Sequence, residues 1–571
     1  MFIPTTKEEL LKNNWKYLDI IIISGDTYID HYFNGASVIG HVLIDKGYKV
    51  GIISQPDIKS DKDIKRLGEP RLFWGITAGS VDSMISNYTA THKRRNKDDL
   101  TPGGINNKRP DRASIVYTNL IRRYFKNTVP IVLGGIEASL RKTVHYDYWD
   151  NQIRRSILFD SKADILIYGM GEKSVLELSD CLKNNNDFKN IKGICYISNE
   201  KKDNYIELPS YESVKTDKDK FIKMFDILYR NNEPGKTRGL YQKHNGRYLI
   251  HNPPAPYLTE KEIDNIYNLN YERNVHPYYL KTGQVKALET IKYSVNTHRG
   301  CYGECNFCSI SIHQGRQIIS RSESSIIKEI NEIKKDKNFK GIITLSAPTA
   351  NMYKTDCTVK IKKGSCNNKR CIFPTICPEL NINHYSYYSL LQKIKNLLGI
   401  KKVFITSGLR YELILNDNIF GEQFLNEILA NHTSGQLKIA PEHTEKSILD
   451  LMGKNENSSL KNFLLLFKKI NSRQKKKKFL TYYFIAAHPG CNINHMQKLK
   501  QFIKQNIKIM PEQVQIFTPS PSTYSTLMYY TEKNPFNHKK IFVEKNIKNK
   551  IIQKNIIIKS NNNRNNKKIL L

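Results

Sequence analysis

Two series of short apolar runs, each run followed by a stretch of helical periodicity, constrain this chain's fold more than any other feature. The first occupies the N-terminal third. "LDIIIIS" (residues 18–24), "KVGIISQ" (49–55), "RLFWGITAG", "VPIVLGGIEAS" and "ADILIYGMGEKSVLEL" are unbroken runs rich in β-branched residues. Such runs read as strands buried on both faces, which is the condition of a parallel sheet. "ASVIGHVLIDKGY" (36–48) between the first two carries helical spacing and ends at Gly47. Alternating strand and helix with Gly-containing turns predicts an open, doubly wound, Rossmann-like sheet. Ligands of such sheets lie at the carboxyl ends of the strands, here the loops "GDTYIDHYFNG", "TAGSVDS", "GGIEAS" and "GMGEKS". No G-x-G-x-x-G follows the first strand, so the dinucleotide signal is weak, and the glycines read equally as turn formers.

The pattern loosens over about 185–290, where "NPPAPYL" (252–258) must be extended. This stretch reads as a connecting segment. The second series begins near Val295. "YSVNTHRG" (293–300), "GIITLSAP" (341–348), "KKVFITSG" (401–408), "GQLKIAP" (435–441), "LTYYFIAAHPG" (480–490) and "EQVQIFTPSP" (512–521) alternate with helical stretches. In the first of these, Ser320 is the expected N-cap with Glu323 closing a capping box, and Ile326, Ile330 and Ile333 share a face. Six strands in this order predict a (β/α)6 partial TIM barrel whose reactive face is its carboxyl end. The expected organisation is an N-terminal α/β domain over 1–290, the partial barrel over 291–530, and a Lys/Asn-rich, eroded tail over 531–571 expected to be disordered.

The formal charge is +36. Lys and Arg in such excess suit phosphates. However, the excess is spread along the chain, and Lys, Asn and Ile rise together as AT-rich coding would produce. "RQKKKKF" (473–479) is the densest basic run and reads as a solvated helix end. A nucleic-acid partner is therefore not favoured. The N-terminal residues place acidic side chains where a secretory signal needs an apolar core. No apolar run approaches the roughly 20 residues that span a bilayer. The expected location is the cytoplasm, with no membrane partner, where clustered thiols are more often metal ligands than disulfides.

Three of the ten cysteines, Cys301, Cys305 and Cys308, form C-x3-C-x2-C directly after the first strand of the second series. Random placement would produce that spacing roughly three times in a thousand. Zinc would need a fourth ligand, and His298 and His313 are near. Three thiolates on one loop also suit an iron–sulfur cube with one open iron. A second group, Cys357, Cys366, Cys371 and Cys377, follows the second barrel strand, with spacings that match no common zinc module. It reads either as packed thiols or as a second metal site.

The cysteine loop, its place at the barrel's reactive face, and Phe307 before the last cysteine resemble the radical S-adenosylmethionine (SAM) enzymes. "MFIPTTKEEL", "SGDTYIDH", "SVNTHRGCYGECNFCSISIHQGRQIISRSESSI", "APTANMY" and "PSPSTYSTLMYYT" resemble, more specifically, the YgiQ-type radical SAM proteins, the UPF0313 family. The resemblance implies a [4Fe-4S] cluster on Cys301, Cys305 and Cys308, SAM chelated to the open iron, and a 5′-deoxyadenosyl radical that takes hydrogen from a substrate the family does not identify. It also implies a one-electron reductant such as flavodoxin or ferredoxin. Many relatives in the wider class receive the methionine amino group on a Gly-Gly-Glu turn, where this chain has Ser346-Ala347-Pro348, so Ser346 or backbone carbonyls take that role. Arg410 is suited to the cofactor carboxylate or to a structural pair with Glu412. Glu442, His443 and His488 end strands at the same face, as substrate or cofactor contacts or as satisfied loop residues. The N-terminal sheet resembles the cobalamin domain that precedes some radical SAM cores. That domain's Asp-x-His-x-x-Gly is altered here, with Asp30-His31 adjacent and Gly35 following. Two rival readings share the charge and the cysteines: a radical SAM RNA-modifying, methylthiotransferase-like enzyme, and a non-catalytic metal-stapled RNA-binding protein.

Overall fold

The computed structural model describes residues 1–235, 237–366, 369–511 and 514–558. Every strand expected in the first series forms: β1 Ile20–Ser24, β2 Val50–Ser54, β3 Phe73–Thr77, β4 Ile131–Gly134 and β5 Ile165–Ile167. All five are mutually parallel in the order β2-β1-β3-β4-β5. Their apolar runs are buried because helices cover both faces. Ile21 and Ile23 pack on one side with Trp74, Tyr117 and Leu133, while Ile20 and Ile22 pack on the other with Leu43, Ile52 and Val132. Fully burying each such side chain contributes about 1.5–3 kcal/mol. From β1 the chain crosses to β2 on one side and then returns to β3 on the other. The carboxyl ends of β1 and β3 are thus the point where the winding reverses.

The segment expected as a mere connector is instead part of this sheet. It contributes β6 Ile194–Ser198, β7 Ile206–Leu208, β8 Leu240–His244 and β9 Arg247–His251, which extend the sheet beyond β5 in the order β6-β9-β8-β7. β6 runs antiparallel to β5, and β8 and β9 form a hairpin. The hairpin turns on Asn245-Gly246, both with positive φ, a two-residue turn whose twist matches paired strands. Helix Lys218–Arg230 packs Phe221, Met224 and Phe225 beneath the extension.

The second series forms six strands: β10 Ser294–Asn296, β11 Ile342–Ser346, β12 Lys402–Ile405, β13 Gln436–Glu442, β14 Phe479–Ala486 and β15 Gln515–Ile516. β10-β11-β12 and β13-β14-β15 are two parallel sheets, and a parallel bridge from Leu409 to Ile439 continues one into the other. The helix after β10 spans Glu323–Ile333, and its cap is Ser322, which accepts from the Ser325 N–H, rather than Ser320. Ser320 is held instead in a short strand, Ile319–Ser320, paired with His298–Arg299. Ile326, Ile330 and Ile333 are buried against Val295, Ile343 and Leu345, as their spacing required.

The chain beyond Thr531 is ordered as far as 558, contrary to its low complexity. Helix Ile547–Ile557 lies against β14 and the helix Ile493–Phe502. Ile557 is fully buried. Gln553 accepts from the Ala487 N–H at 3.0 Å and donates to the Cys491 carbonyl at 3.3 Å. The end of the expected tail, 559–571, lies outside the described residues. Among the described residues no helix is long and apolar enough to cross a membrane.

Candidate functional site

Strand β10 delivers the cysteine loop. The antiparallel pair His298–Arg299 with Ile319–Ser320 closes its base, and the Cys301 N–H donates to the Gly315 carbonyl at 3.1 Å. Gly300 has φ +85, and a Cβ there would meet the Gln317 carbonyl at 1.9 Å, so no other residue fits this turn. Gly303 is confined in a different way: a Cβ would lie 2.7 Å from Arg410 Nη2 and 3.2 Å from Cys301 Sγ. Both contacts are polar. The Gly303 N–H points at Cys301 Sγ (3.4 Å), the Thr349 hydroxyl lies 3.6 Å from the same sulfur, and Arg410 Nη2 donates to Cys305 Sγ at 2.7 Å. The other arm of Arg410 pairs with Glu412 at 2.8 Å, so the structural pair named as one reading of Arg410 is present.

Burial pushes the Cys301 thiol up while the Arg410 guanidinium opposes it, and burial pushes Cys308 up to about 12. Desolvated thiols of this kind need a cation to become ligands. Among the described residues no three His, Cys, Asp or Glu side chains converge on a point suited to a single ion. A cube asks for something else, since each thiolate binds a different iron. Three thiols on one turn with N–H and O–H donors to sulfur match the donor set and outer hydrogen bonding of such a cluster. The residues present therefore fit a [4Fe-4S] group. His298 and His313 are neutral, lowered by burial to about 3 and about 4, and hydrogen-bond to Thr297 and Ser139.

Phe307 is half-buried with its ring edge-on to His488. The Ser346 hydroxyl is 3.1 Å from that of Ser294, across β10 and β11. His488 sits between the Ser525 hydroxyl (2.7 Å) and the Pro489 carbonyl (2.9 Å), and His443 Nδ1 accepts from the Glu445 N–H. Burial lowers both histidines to about 3, so they are satisfied neutral loop residues. Glu442 differs from them. It ends β13 with φ +66, and burial raises its carboxyl although Lys454 and Arg410 pull the other way. A non-glycine residue held left-handed and buried costs of order 1–3 kcal/mol, a cost that clusters at functional sites.

Three of the four downstream cysteines, Cys357, Cys371 and Cys377, pack with Tyr302 and Ile372 in a small cluster that Cys301 also touches, whereas Cys366 is exposed. The Cys377 N–H donates to the Cys371 carbonyl, and Lys360 Nζ lies 3.9 Å from Cys371 Sγ. The insertion thus backs the cysteine loop. Sequence reasoning missed Thr349, whose only signal was its place in "APTA" after β11. It also missed the buried Arg316, which bridges Glu304 of the cysteine loop (3.2 Å) and Glu233 (3.7 Å).

The N-terminal sheet meets this site through its first loop. The Tyr32 hydroxyl donates to Glu329 (2.6 Å) and lies 2.9 Å from the Ser294 carbonyl, and Arg299 pairs with Glu172 at the start of the helix after β5. His31 is fully committed: Nδ1 accepts from the Phe33 N–H and Nε2 lies 3.0 Å from Arg273.

Residues 2–294 match the family described as Radical SAM N-terminal, and residues 512–569 match a domain of unknown function, DUF3362. The second match covers most of the region expected as an eroded tail. A UPF0313 protein of Fusobacterium nucleatum subsp. nucleatum is 55% identical over 565 residues, 99% of this chain and 100% of that protein. A UPF0313 protein of Thermotoga maritima is 45% identical over 552 residues, 96% of this chain and 97% of its own. Among solved structures, the radical S-adenosylmethionine methyltransferase TsrM from Kitasatospora setae aligns with TM-score 0.49 and 13% identity, covering 88% of this chain and 74% of its own. On the full-length matches to its relatives, the chain belongs to the UPF0313 family and carries a Radical SAM N-terminal domain.

Proposed function

We propose that this radical SAM enzyme holds a [4Fe-4S] cluster on Cys301, Cys305 and Cys308 at the carboxyl end of a (β/α)6 partial barrel, β10 to β15, fronted by a Rossmann-like sheet. The single observation that carries the reading is the cysteine turn itself: three thiols after the first core strand, with Gly303, Thr349 and Arg410 directed at their sulfurs. When bound, the cluster supplies one electron that splits SAM to methionine and a 5′-deoxyadenosyl radical. The chain's own residues hold and shield that chemistry. Arg410 fixes the Cys305 sulfur through a hydrogen bond from its guanidinium. The Gly303 N–H and the Thr349 hydroxyl position the Cys301 sulfur in the same way, through longer contacts. Phe307 and Tyr302 exclude water from the loop, and the Cys357 to Cys377 insertion packs behind it as reduced thiols. Ser346 and Glu442, at the ends of β11 and β13, face the same end of the core as candidate cofactor contacts.

The test is an anaerobic assay for 5′-deoxyadenosine with dithionite and SAM, alongside metal analysis. Wild-type protein is expected to carry about four iron and no zinc per chain, the content of one cube, and to form 5′-deoxyadenosine. Cys305→Ala should abolish product. Retained product in Cys305→Ala, or stoichiometric zinc in the wild type, would remove the reading.

A further inference from the structure

A cavity of about 410 Å³ lies between the carboxyl edge of the N-terminal sheet and the back of the cysteine loop. Its lining takes Thr77, Gly79 and Ser80 at the end of β3, Gly134 and Gly135 at the end of β4 and Gly169 and Gly171 after β5, the carboxyl edge at which open α/β sheets bind ligands. Its size and largely apolar lining are those of small-molecule sites. Ile22, Phe73 and Val132 form part of its floor, and Tyr32, Phe33 and Tyr267 form an aromatic wall. The Tyr32 and Tyr267 rings are 4.4 Å apart.

Two glycines of the lining have no conformational reason to be glycine. Neither Gly35 nor Gly134 has a positive φ, and a Cβ on either would find nothing within 4 Å. Their effect is to leave room. Besides Thr77, Ser80 and His313, the polar side chains of the lining are Glu172, Arg299, Asn296 and Gln314. Glu172 is 3% exposed. One of its oxygens pairs with Arg299, while Oε2 is buried with no hydrogen-bond partner. A buried acceptor without a donor is costly unless a ligand supplies one.

We propose that this cavity binds a planar heteroaromatic ligand, stacked on the aromatic wall, whose N–H edge donates to Glu172 Oε2. The site is coupled to the cysteine loop by covalent neighbours: Arg299 and Gln314 bracket it, and Gln314 accepts from the Gly300 N–H at 3.2 Å. A tightly held second cofactor and a diffusing substrate share this ligand chemistry. The inference does not depend on cluster chemistry, because binding can be read without turnover.

The experiment uses full-length protein, wild type and the cavity-filling variants Gly134→Leu and Gly35→Leu, which add bulk to the lining at positions without a left-handed backbone. Each is denatured and its supernatant scanned for a released aromatic chromophore. Each is also titrated with riboflavin and with adenosine by equilibrium dialysis. The expected result is either a stoichiometric chromophore in the wild type that both variants lack, indicating a held cofactor, or saturable binding of riboflavin or adenosine weakened at least about tenfold in the variants, indicating an exchangeable ligand. Glu172→Gln should weaken binding by about tenfold or more, the loss of a hydrogen bond to a charged group. No chromophore and no saturable binding in the wild type would overturn the proposal. So would binding unchanged in a Leu variant of unaltered unfolding temperature, or hydroxocobalamin as the molecule whose binding the variants abolish.

Discussion

Arg410 offers the sharpest test of how the chain holds its cysteine loop. Its guanidinium is buried and fixed at both ends, by Glu412 at 2.8 Å and by Cys305 Sγ at 2.7 Å. Burial opposes its charge, but the Cys305 and Glu412 partners outweigh that and hold the proton. Arg410→Met removes one partner of a buried pair, which costs about 3–5 kcal/mol because Glu412 is left buried and alone. For a unit the size of the core this lowers the unfolding temperature by roughly 6–20 °C. Adding Glu412→Leu removes the orphaned charge and should return most of that stability, since an apolar pair of similar volume is often neutral. Cluster retention should not return. Both variants lack the donor to Cys305, and a hydrogen bond to a charged group is worth about 1.5–3 kcal/mol, so iron dissociates about 10- to 100-fold more readily in each. Calorimetry and iron per chain after anaerobic gel filtration read the two effects separately. If the double variant recovers both stability and iron, Arg410 is only half of a salt bridge and its bond to Cys305 does nothing. If the single variant melts with the wild type, the buried-pair argument itself is wrong.

Three further outcomes follow from local geometry. Gly303→Ala should lower iron content with little change elsewhere, because its Cβ would press on a guanidinium that Glu412 and Cys305 prevent from yielding; full iron in that variant would show the loop to be loose. Ile557→Ala should cost about 2–5 kcal/mol and Ile557→Val about 0.5–1.5 kcal/mol, measured by denaturant unfolding, whereas a disordered tail would register neither. Burial alone would raise the Asp417 carboxyl, but the His384 ring at 2.7 Å and the N–H groups of His384 and Phe420 outweigh it and hold Asp417 at about 2. A depressed carboxylate contributes stability that is present above its unfolded value, about 3.9, and is lost as pH falls through about 2. The unfolding temperature of the metal-free protein should therefore fall between those limits, and less steeply in Asp417→Asn; parallel profiles would show that this pair does not contribute.

What was legible in the sequence is what simple periodicities encode. β1 to β5 announced themselves because parallel strands buried on both faces must be continuously apolar, and β10 to β15 because their short β-branched runs alternate with helical stretches. β6 to β9 were missed for the converse reason. β8 and β9 are half polar, as in "LYQKH" and "RYLIH", and their true marker was the Asn245-Gly246 turn rather than hydrophobicity. The final helix was hidden by composition: Lys and Asn supply five of its eleven residues and interrupt its isoleucines, while the buried Lys550, Gln553 and Ile557 fix it in place. The cysteine turn could be placed from spacing alone, because ligands on one loop are local. Thr349 and Arg316 could not, since each reaches the loop from another strand or turn and only the closed fold makes them neighbours. The same holds for the cavity beside Glu172. Its glycines looked like turn formers in the sequence, and only the space around Gly35 and Gly134 separates residues kept small for a turn from residues kept small for a ligand.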